Sequence, residues 1–416
     1  MTTTLTRGPL SIQQESALHE GHGRDVIWKE FELQPSVSPD ELRRRVDRMM
    51  DREPGLRAVA FDRDGVTYAD HLTAPLSEVS CADDSDVRRC SRTARDAAWE
   101  PGGPLWRLVV FTRADAGPSA VLVVDHLIAD VLTVALMVRE ISTGVEPDPA
   151  RGGGRYDEWV RRQRGEFDLG DPDFHAETRQ FWNQVLAGAA PRRATGLPGV
   201  RDAVPGRGAG TVALSVHVPV DAAAALGAAR KAGATPFTLA VASFAATIAA
   251  GTGVDDLSCA IVNHGRAPGF TATYGWLATS TPLRVTQDGM SDFGTALAAV
   301  CGGWKHILPR LHTPWQFVNA ACAGNTDFDW GSYGRRQLII NYMTDPVAGI
   351  TDEHYRDKYP EYPRDMPWIE LQMIPLAAGG HLLRFLCNSD DVDPDSMRTL
   401  LRQLAEDYTR RVNTFL

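Results

Sequence analysis

The sequence contains no cysteine pair in the CxxC spacing and none of several common short catalytic motifs. Its six cysteines are scattered: Cys81, Cys90, Cys259, Cys301, Cys322 and Cys387. Their spacing disfavours a zinc ribbon or a thioredoxin-like redox site. Also missing are Gly-x-Ser-x-Gly, the P-loop, His-Glu-x-x-His and Gly-x-Gly-x-x-Gly, which disfavours the hydrolases, nucleotide-binding proteins and zinc proteases that carry them.

Long apolar runs and an excess of positive charge are missing as well. Residues 1–7 lack the apolar core of a signal peptide, and the longest apolar stretch, residues 236–250, is too short to span a bilayer. Lys and Arg number 43 against 53 Asp and Glu, a formal net charge of −10. This balance disfavours a nucleic-acid or anionic-membrane partner. We therefore expect a cytoplasmic protein with free thiols, no nucleic-acid partner and no membrane partner.

The length and the pattern of segments predict two units of mixed α/β structure. At roughly 100–200 residues per domain, 416 residues correspond to two or three units. Residues 187–210 are rich in Ala, Gly, Pro and Arg and have little periodicity, which is typical of a linker. The predicted units are therefore residues 1–186 and residues 211–416.

Several helices and strands can be predicted directly. Ser38, Thr235 and Asp393 each precede a proline and an apolar helical pattern, which is typical of a capped helix start. Glu41 completes the capping-box pattern with Ser38. Apolar runs at four places predict buried strands: residues 105–111, 120–124, 337–342 and 381–386.

The strongest local feature is the segment Val121-Leu122-Val123-Val124-Asp125-His126-Leu127-Ile128-Ala129-Asp130. A buried strand ends at a histidine, an aspartate follows four residues later, and the pattern after it indicates a helix. A histidine at a strand end can act as a general base near neutral pH. An ordinary core or loop histidine is the alternative interpretation.

This segment resembles the His-His-x-x-x-Asp-Gly signature of the condensation domains of nonribosomal peptide synthetases, in the chloramphenicol acetyltransferase-like superfamily. Other motifs of that family have similar counterparts in order along nearly the whole chain. They lie at residues 8–15, 51–57, 104–108, 156–163, 181–188, 254–266, 275–284, 335–342 and 387–390.

The resemblance implies two chloramphenicol-acetyltransferase-like lobes that form a V around a central tunnel. It also implies that a carrier protein brings an acyl group as a phosphopantetheine thioester, which an amine or alcohol acceptor attacks. No metal and no tightly bound cofactor are implied. His126 would position or deprotonate the nucleophile. Supporting and tunnel-lining roles fall on Asp125, Asp130, Arg266, Arg284, Thr279, Trp276, Asn341 and Tyr342.

The resemblance further implies a salt bridge from Asp130 to an arginine, for which Arg57, Arg266 and Arg284 are the candidates. An acidic carrier protein would favour a basic docking face, and the arginines of residues 151–164 and 192–207 are candidates for it. The chain contains no recognisable carrier or adenylation module, so we expect the carrier to come from another chain.

Three residues depart from the family pattern. Asp125 replaces the first histidine, Val131 replaces the glycine after Asp130, and Thr279 replaces an asparagine. These changes leave three functions open. The first is a stand-alone condensation enzyme of nonribosomal peptide or antibiotic biosynthesis. The second is a degenerate module that recruits a carrier protein or a tailoring enzyme. The third is an acyltransferase that uses acyl-coenzyme A directly.

Overall fold

The structure is a computed structural model. It describes residues 4–19, 25–114, 116–148, 153–167, 175–188, 197, 200, 211–254, 256–290, 292–322, 337–344, 368–376, 378–388 and 392–416. Most of the predicted linker, residues 187–210, lies outside these ranges, as do residues 192–196 and 201–207 of the candidate basic face.

The described residues form thirteen strands and eleven α-helices. The strands are β1 Leu5–Gly8, β2 Val26–Glu32, β3 Ala58–Asp62, β4 Gly65–Ala69, β5 Leu76–Ser80, β6 Trp106–Thr112, β7 Ser119–Asp125, β8 Thr211–Val218, β9 Asp256–Asn263, β10 Thr279–Thr286, β11 Gln337–Tyr342, β12 Trp368–Pro375 and β13 His381–Asn388. The helices are α1 Ile12–His19, α2 Pro39–Arg52, α3 Asp84–Asp96, α4 Val131–Thr143, α5 Tyr156–Glu166, α6 Ala176–Val185, α7 Ala222–Lys231, α8 Pro236–Thr252, α9 Phe293–Ile307, α10 Trp315–Cys322 and α11 Pro394–Phe415.

These strands form three sheets. The first has three strands in the order β1-β4-β3, the second four in the order β2-β7-β6-β5, and the third six in the order β10-β9-β11-β12-β13-β8. In the second sheet β7 lies between β2 and β6 and is antiparallel to both. Its residues 121–124 are fully buried, as expected for a strand covered on both faces.

The chain divides into two compact units, each with its own core. Unit 1 comprises Met1–Asp168 and His264–Ala278, and unit 2 comprises Leu169–Asn263 and Thr279–Leu416. The chain therefore leaves unit 2 after β9, contributes fifteen residues to unit 1, and returns at β10. This excursion, residues 264–278, could not be predicted from sequence. Strands β9 and β10 are adjacent and antiparallel in one sheet, so the segment between them has the pattern of an ordinary connecting loop.

The boundary between the units differs from the prediction at residue 186. Helix α6 was expected to close the first unit, but it belongs to unit 2. The physical reason is burial: Trp182 and Leu186 are 0% and 1% exposed within the core of unit 2. An apolar helix face must be buried, but local sequence does not say against which core.

The predicted elements with clear capping signals are present in the structure. Helices α2, α8 and α11 begin at the predicted prolines, and the side chains of Ser38, Thr235 and Asp393 each accept a backbone hydrogen bond from the first turn. The four predicted strands correspond to β6, β7, β11 and β13, with ends shifted by up to two residues.

The predicted mixed α/β class is confirmed. The V-shaped arrangement and the tunnel concern the placement of the two units and stay predictions. Within the described ranges no single helix is long and apolar enough to cross a membrane, although α7 and α8, bent by 82° at their junction, pass that test as a pair.

Candidate active site

His126 lies in the turn between β7 and α4. Strand β7 ends at Asp125, and α4 begins at Val131 with Asp130 as its N-cap. The Asp130 carboxylate accepts a hydrogen bond from the Thr133 amide at 2.8 Å, the usual arrangement at a capped helix start. The His126 amide donates to the Asp25 carbonyl at 2.8 Å, which holds the main chain of the histidine.

The His126 imidazole is half-buried against an indole. Its ring centroid lies 4.5 Å from that of Trp276, with the two planes tilted by 50°. The Nδ1 atom is buried and has no hydrogen-bond partner among the described residues. The orientation of the ring therefore depends on the main chain of the turn and on Trp276.

Asp125 is buried and accepts two hydrogen bonds through its carboxylate. The Leu127 amide donates to Oδ1 at 3.0 Å, and Nε1 of Trp99 donates to Oδ2 at 2.8 Å. Burial raises the pKa of the Asp125 carboxyl, against the lowering effect of these two bonds. The Asp125 carboxylate does not hydrogen-bond to Nδ1 of His126, which has no partner among the described residues.

Asp130 is the centre of a buried ion pair with Arg266. Nη1 of Arg266 lies 2.8 Å from Oδ2 and Nη2 lies 2.9 Å from Oδ1, a bidentate arrangement. The two side chains are 1% and 3% exposed. Burial alone would raise the pKa of the Asp130 carboxyl, but the charge and hydrogen bonds of Arg266 hold it below its ordinary value.

The same carboxylate fixes the excursion of residues 264–278. Oδ2 of Asp130 accepts from the amides of Leu277 and Ala278 at 3.0 and 2.9 Å. Oγ1 of Thr133 donates to the Gly275 carbonyl at 2.7 Å and accepts from the Gly275 amide at 3.1 Å. These bonds fasten both sides of Trp276 to the start of α4 and so place its ring against His126.

Gly275 is required at this contact by its conformation and by space. Its φ angle is +154°, and an added Cβ would lie 2.1 Å from the ring of Tyr156. A side chain cannot be accommodated at that distance. Sequence reasoning identified the glycine only as part of a motif, and it did not identify Thr133 or Trp99 at all.

The other two candidate arginines do not pair with Asp130. Arg284 forms a bidentate pair with Asp256 in unit 2, with both N···O distances 2.8 Å. Arg57 donates to backbone carbonyls, among them those of Asp51 at 3.1 Å and Ala69 at 3.2 Å. Arg284 therefore pairs with a residue of the neighbouring strand at the edge of the six-stranded sheet, and not with the His126 turn.

Thr279, Asn341 and Tyr342 lie in unit 2. Oγ1 of Thr279 accepts from the Trp315 amide at 3.2 Å, and Nδ2 of Asn341 donates to Glu370 at 3.0 Å. Burial raises the pKa of Tyr342 to about 12. Their role as tunnel-lining residues stays a prediction. No cluster of three or more His, Cys, Asp or Glu side chains suited to a metal ion occurs in the described part of the chain.

Comparison with known families decides what this arrangement belongs to. The family model described as "Condensation domain" matches residues 26–328, which include the turn at His126 and the excursion. The chain belongs to the condensation-domain family. Phosphinothricin tripeptide synthetase PhsB of Streptomyces viridochromogenes is 27% identical to this condensation domain over 272 residues. Those residues are 60% of the chain but only 22% of PhsB, so the chain spans a minor part of that relative.

Solved structures show the same fold. The condensation domain of the monacolin K polyketide synthase MokA matches with a TM-score of 0.71 and 16% identity, covering 100% of this chain and 98% of the solved domain. The epimerization domain TycB3(E) of tyrocidine synthetase B matches with a TM-score of 0.72 and 12% identity, covering 100% and 99%. One fold therefore serves domains with different names, and the activity must be argued from the site.

The departure at Val131 is compatible with the backbone of this condensation domain. Val131 is the first residue of α4 and is 61% exposed. Among the non-glycine residues that the structure describes, only His175 has a positive φ angle. The start of α4 therefore does not require glycine for conformational reasons.

Proposed function

We propose that this condensation domain transfers an acyl or aminoacyl group from a carrier-protein thioester to an amine or alcohol acceptor, in nonribosomal peptide or related natural-product biosynthesis. Membership of the family supports the reaction class, because condensation domains generally form amide or ester bonds. The observation that carries the proposal is the His126 imidazole, which is held on a turn against Trp276 and is partly open to a reactant.

In the proposed reaction the acceptor nitrogen or oxygen attacks the thioester carbonyl carbon. The new C–N or C–O bond forms and the C–S bond breaks, and the electron pair of that bond leaves with the sulfur. His126 positions the acceptor or takes its proton, and the phosphopantetheine thiolate is finally protonated. The products are an amide or ester and a free phosphopantetheine thiol. Placement of the two reactants supplies much of the acceleration, and general base catalysis adds to it.

The two departures in the motif do not argue against activity. Asp125 accepts hydrogen bonds from Leu127 and Trp99, so it has a defined structural role in the turn. Val131 fits the first position of a helix, as shown above. Asp130 keeps a buried bidentate pair with Arg266 at the start of the helix that follows the His126 turn, which supports a retained function rather than a lost one.

The donor can be tested with three forms of the same acyl group. The purified chain is incubated with an amine or alcohol acceptor and with the acyl group on a carrier protein, on coenzyme A, or on no thioester at all. We expect amide or ester product, detected by mass spectrometry, from the carrier-bound form. Equal product from acyl-coenzyme A would overturn the carrier requirement and favour direct use of coenzyme A.

A binding measurement distinguishes catalysis from the remaining alternative, a module that only recruits a partner. If a panel of loaded carriers yields no product while calorimetric titration shows that carrier or a tailoring enzyme binds, the chain is a recruitment module and the proposed catalysis is wrong. Neither product nor binding with any member of the panel would overturn both functions.

A further inference from the structure

Asp125 accepts two hydrogen bonds within the turn that carries His126, one through its backbone carbonyl and one through its carboxylate. The Asp125 carbonyl accepts from the Ile128 amide at 3.1 Å, which closes a backbone turn over residues 125–128. Oδ1 of the same residue accepts from the Leu127 amide at 3.0 Å, an Asx-turn inside the first. His126 lies at the second position of both turns, so Asp125 sets its main-chain direction together with the Asp25 carbonyl, which accepts from the His126 amide.

The second carboxylate oxygen connects the turn to Trp99. Nε1 of Trp99 donates to Oδ2 of Asp125 at 2.8 Å. The Trp99 ring lies beneath the guanidinium of Arg107, with 4.3 Å from Cζ to the ring centroid. Nη2 of Arg107 donates to the Ala98 carbonyl at 2.7 Å, next to Trp99 in the chain. The indole that donates to Asp125 from its edge is therefore itself covered on one face by Arg107.

A carboxylate is the side chain that suits this double task. It can accept from an amide and an indole at the same time through two separate oxygens, whereas an asparagine offers one oxygen and places an NH₂ group at the second position. The imidazole gains no fixed orientation from Nδ1, because that atom is unbonded among the described residues. Orientation must then come from the turn and from Trp276.

We propose that Trp99 and Asp125 form a positioning pair that sets the orientation of the His126 imidazole through the turn of residues 125–128. Its effect on turnover rests on the proposed function, in which His126 acts on the acceptor. The pair touches no reacting atom. It defines a role for the aspartate at the position where the family signature has a histidine.

The test uses Trp99→Phe, Asp125→Asn and the double variant of the full chain. Phenylalanine keeps an aromatic ring beneath Arg107 but removes the N–H donor, and asparagine removes one of the two acceptors. Trp28→Phe is the matched control, because Trp28 in the same unit also lies beneath an arginine, Arg95, at 4.2 Å. Unfolding free energies are measured for all variants, so that loss of fold is recognised.

Two readouts separate positioning from a merely structural role. With a loaded carrier, each single variant is expected to lower kcat by about tenfold with an unchanged KM for the acceptor, as for loss of one hydrogen bond. The double variant is expected to lose no more than the larger single loss, because both changes break one connection. Trp28→Phe is expected to lower stability without changing kcat.

The second readout does not depend on turnover. The Cε1–Hε1 resonance of His126, assigned by its loss in His126→Ala, is recorded by NMR for each variant. A shift in Trp99→Phe and Asp125→Asn but not in Trp28→Phe supports the positioning pair, even if the wild type forms no product and the proposed function fails. An unchanged resonance in Trp99→Phe that remains folded would overturn the pair.

Discussion

At the scale of single residues, the buried pair of Asp130 and Arg266 determines how the site is held. Each side chain is almost fully buried, and the two form a bidentate pair through Nη1 and Nη2 of Arg266. Removing one member leaves an uncompensated charge in the core. We expect Asp130→Ala and Arg266→Ala each to lower the unfolding free energy by about 3–5 kcal/mol, measured by urea denaturation.

A matched control for this pair lies on the surface of the same unit. Arg161 pairs with Asp157, and their side chains are 65% and 44% exposed. Arg161→Ala is expected to cost less than about 1 kcal/mol. If Arg266→Ala cost no more than Arg161→Ala, the buried pair would not be what stabilises the excursion.

The same pair predicts a dependence of stability on pH. The pKa of the Asp130 carboxyl in the folded protein is below its ordinary value. The carboxylate therefore makes its full stabilising contribution at pH values above its unfolded pKa of about 3.9. The contribution is lost as the pH falls through the lowered folded pKa. The stability difference between wild type and Asp130→Asn is therefore expected to shrink between pH 7 and pH 3, and a constant difference would contradict this.

Part of this residue-level account could be predicted from sequence. Asp125, His126 and Asp130 lie together in the chain, so their spacing alone drew attention to them. The partner of Asp130 could not be chosen among three arginines, because Arg266 is 136 residues away. Thr133 had a readable signal, since it is the third residue of a helix capped by aspartate. Trp99 had none, because its role depends on where one N–H points.

At the scale of elements, the excursion of residues 264–278 is bonded to the start of α4 and carries the Trp276 indole that contacts His126. At Gly275 the backbone of this excursion packs directly against the Tyr156 ring, since an added Cβ would lie 2.1 Å from that ring. Gly275→Ala is expected to lower the unfolding free energy by more than about 2 kcal/mol, through steric overlap and an unfavourable φ angle. Chemical denaturation measures this directly.

The control for that substitution is Gly302→Ala. Gly302 lies within helix α9, and an added Cβ there meets nothing within 4 Å. Alanine at such a position is expected to stabilise the helix by about 0.5–1 kcal/mol. Equal effects of the two substitutions would show that Gly275 is not a tight contact.

Helices and strands could be predicted from sequence where the residues that define them are close together in the chain. Helices α2, α8 and α11 have a capping side chain and a proline in four consecutive residues, so their starts were correct. The predicted boundary at residue 186 places helix α6 in the first unit, whereas the structure places it in unit 2. Its membership depends on Trp182 packing into a core whose strands are distant in sequence.

At the scale of the whole molecule, the net charge of −10 bears on the proposed carrier protein, because an acidic carrier would require a local basic docking face. The arginines of α5 are compensated: Arg161 pairs with Asp157, Arg162 with Glu166, and Arg164 with Glu15. We therefore expect Arg161→Gln with Arg162→Gln to leave the affinity for a carrier protein unchanged, as measured by calorimetry. A marked loss of affinity would make this helix part of a docking surface.

The measurement that tests the central claim most directly is a single-turnover assay of His126→Ala with a loaded carrier protein. His19→Ala is the control, because His19 is an exposed histidine at the end of α1 in the same unit. Removal of a general base or positioning group predicts a rate loss of about 10²–10⁴-fold with an unchanged unfolding free energy, while His19→Ala keeps the wild-type rate. Equal rates for wild type and a folded His126→Ala would contradict the account.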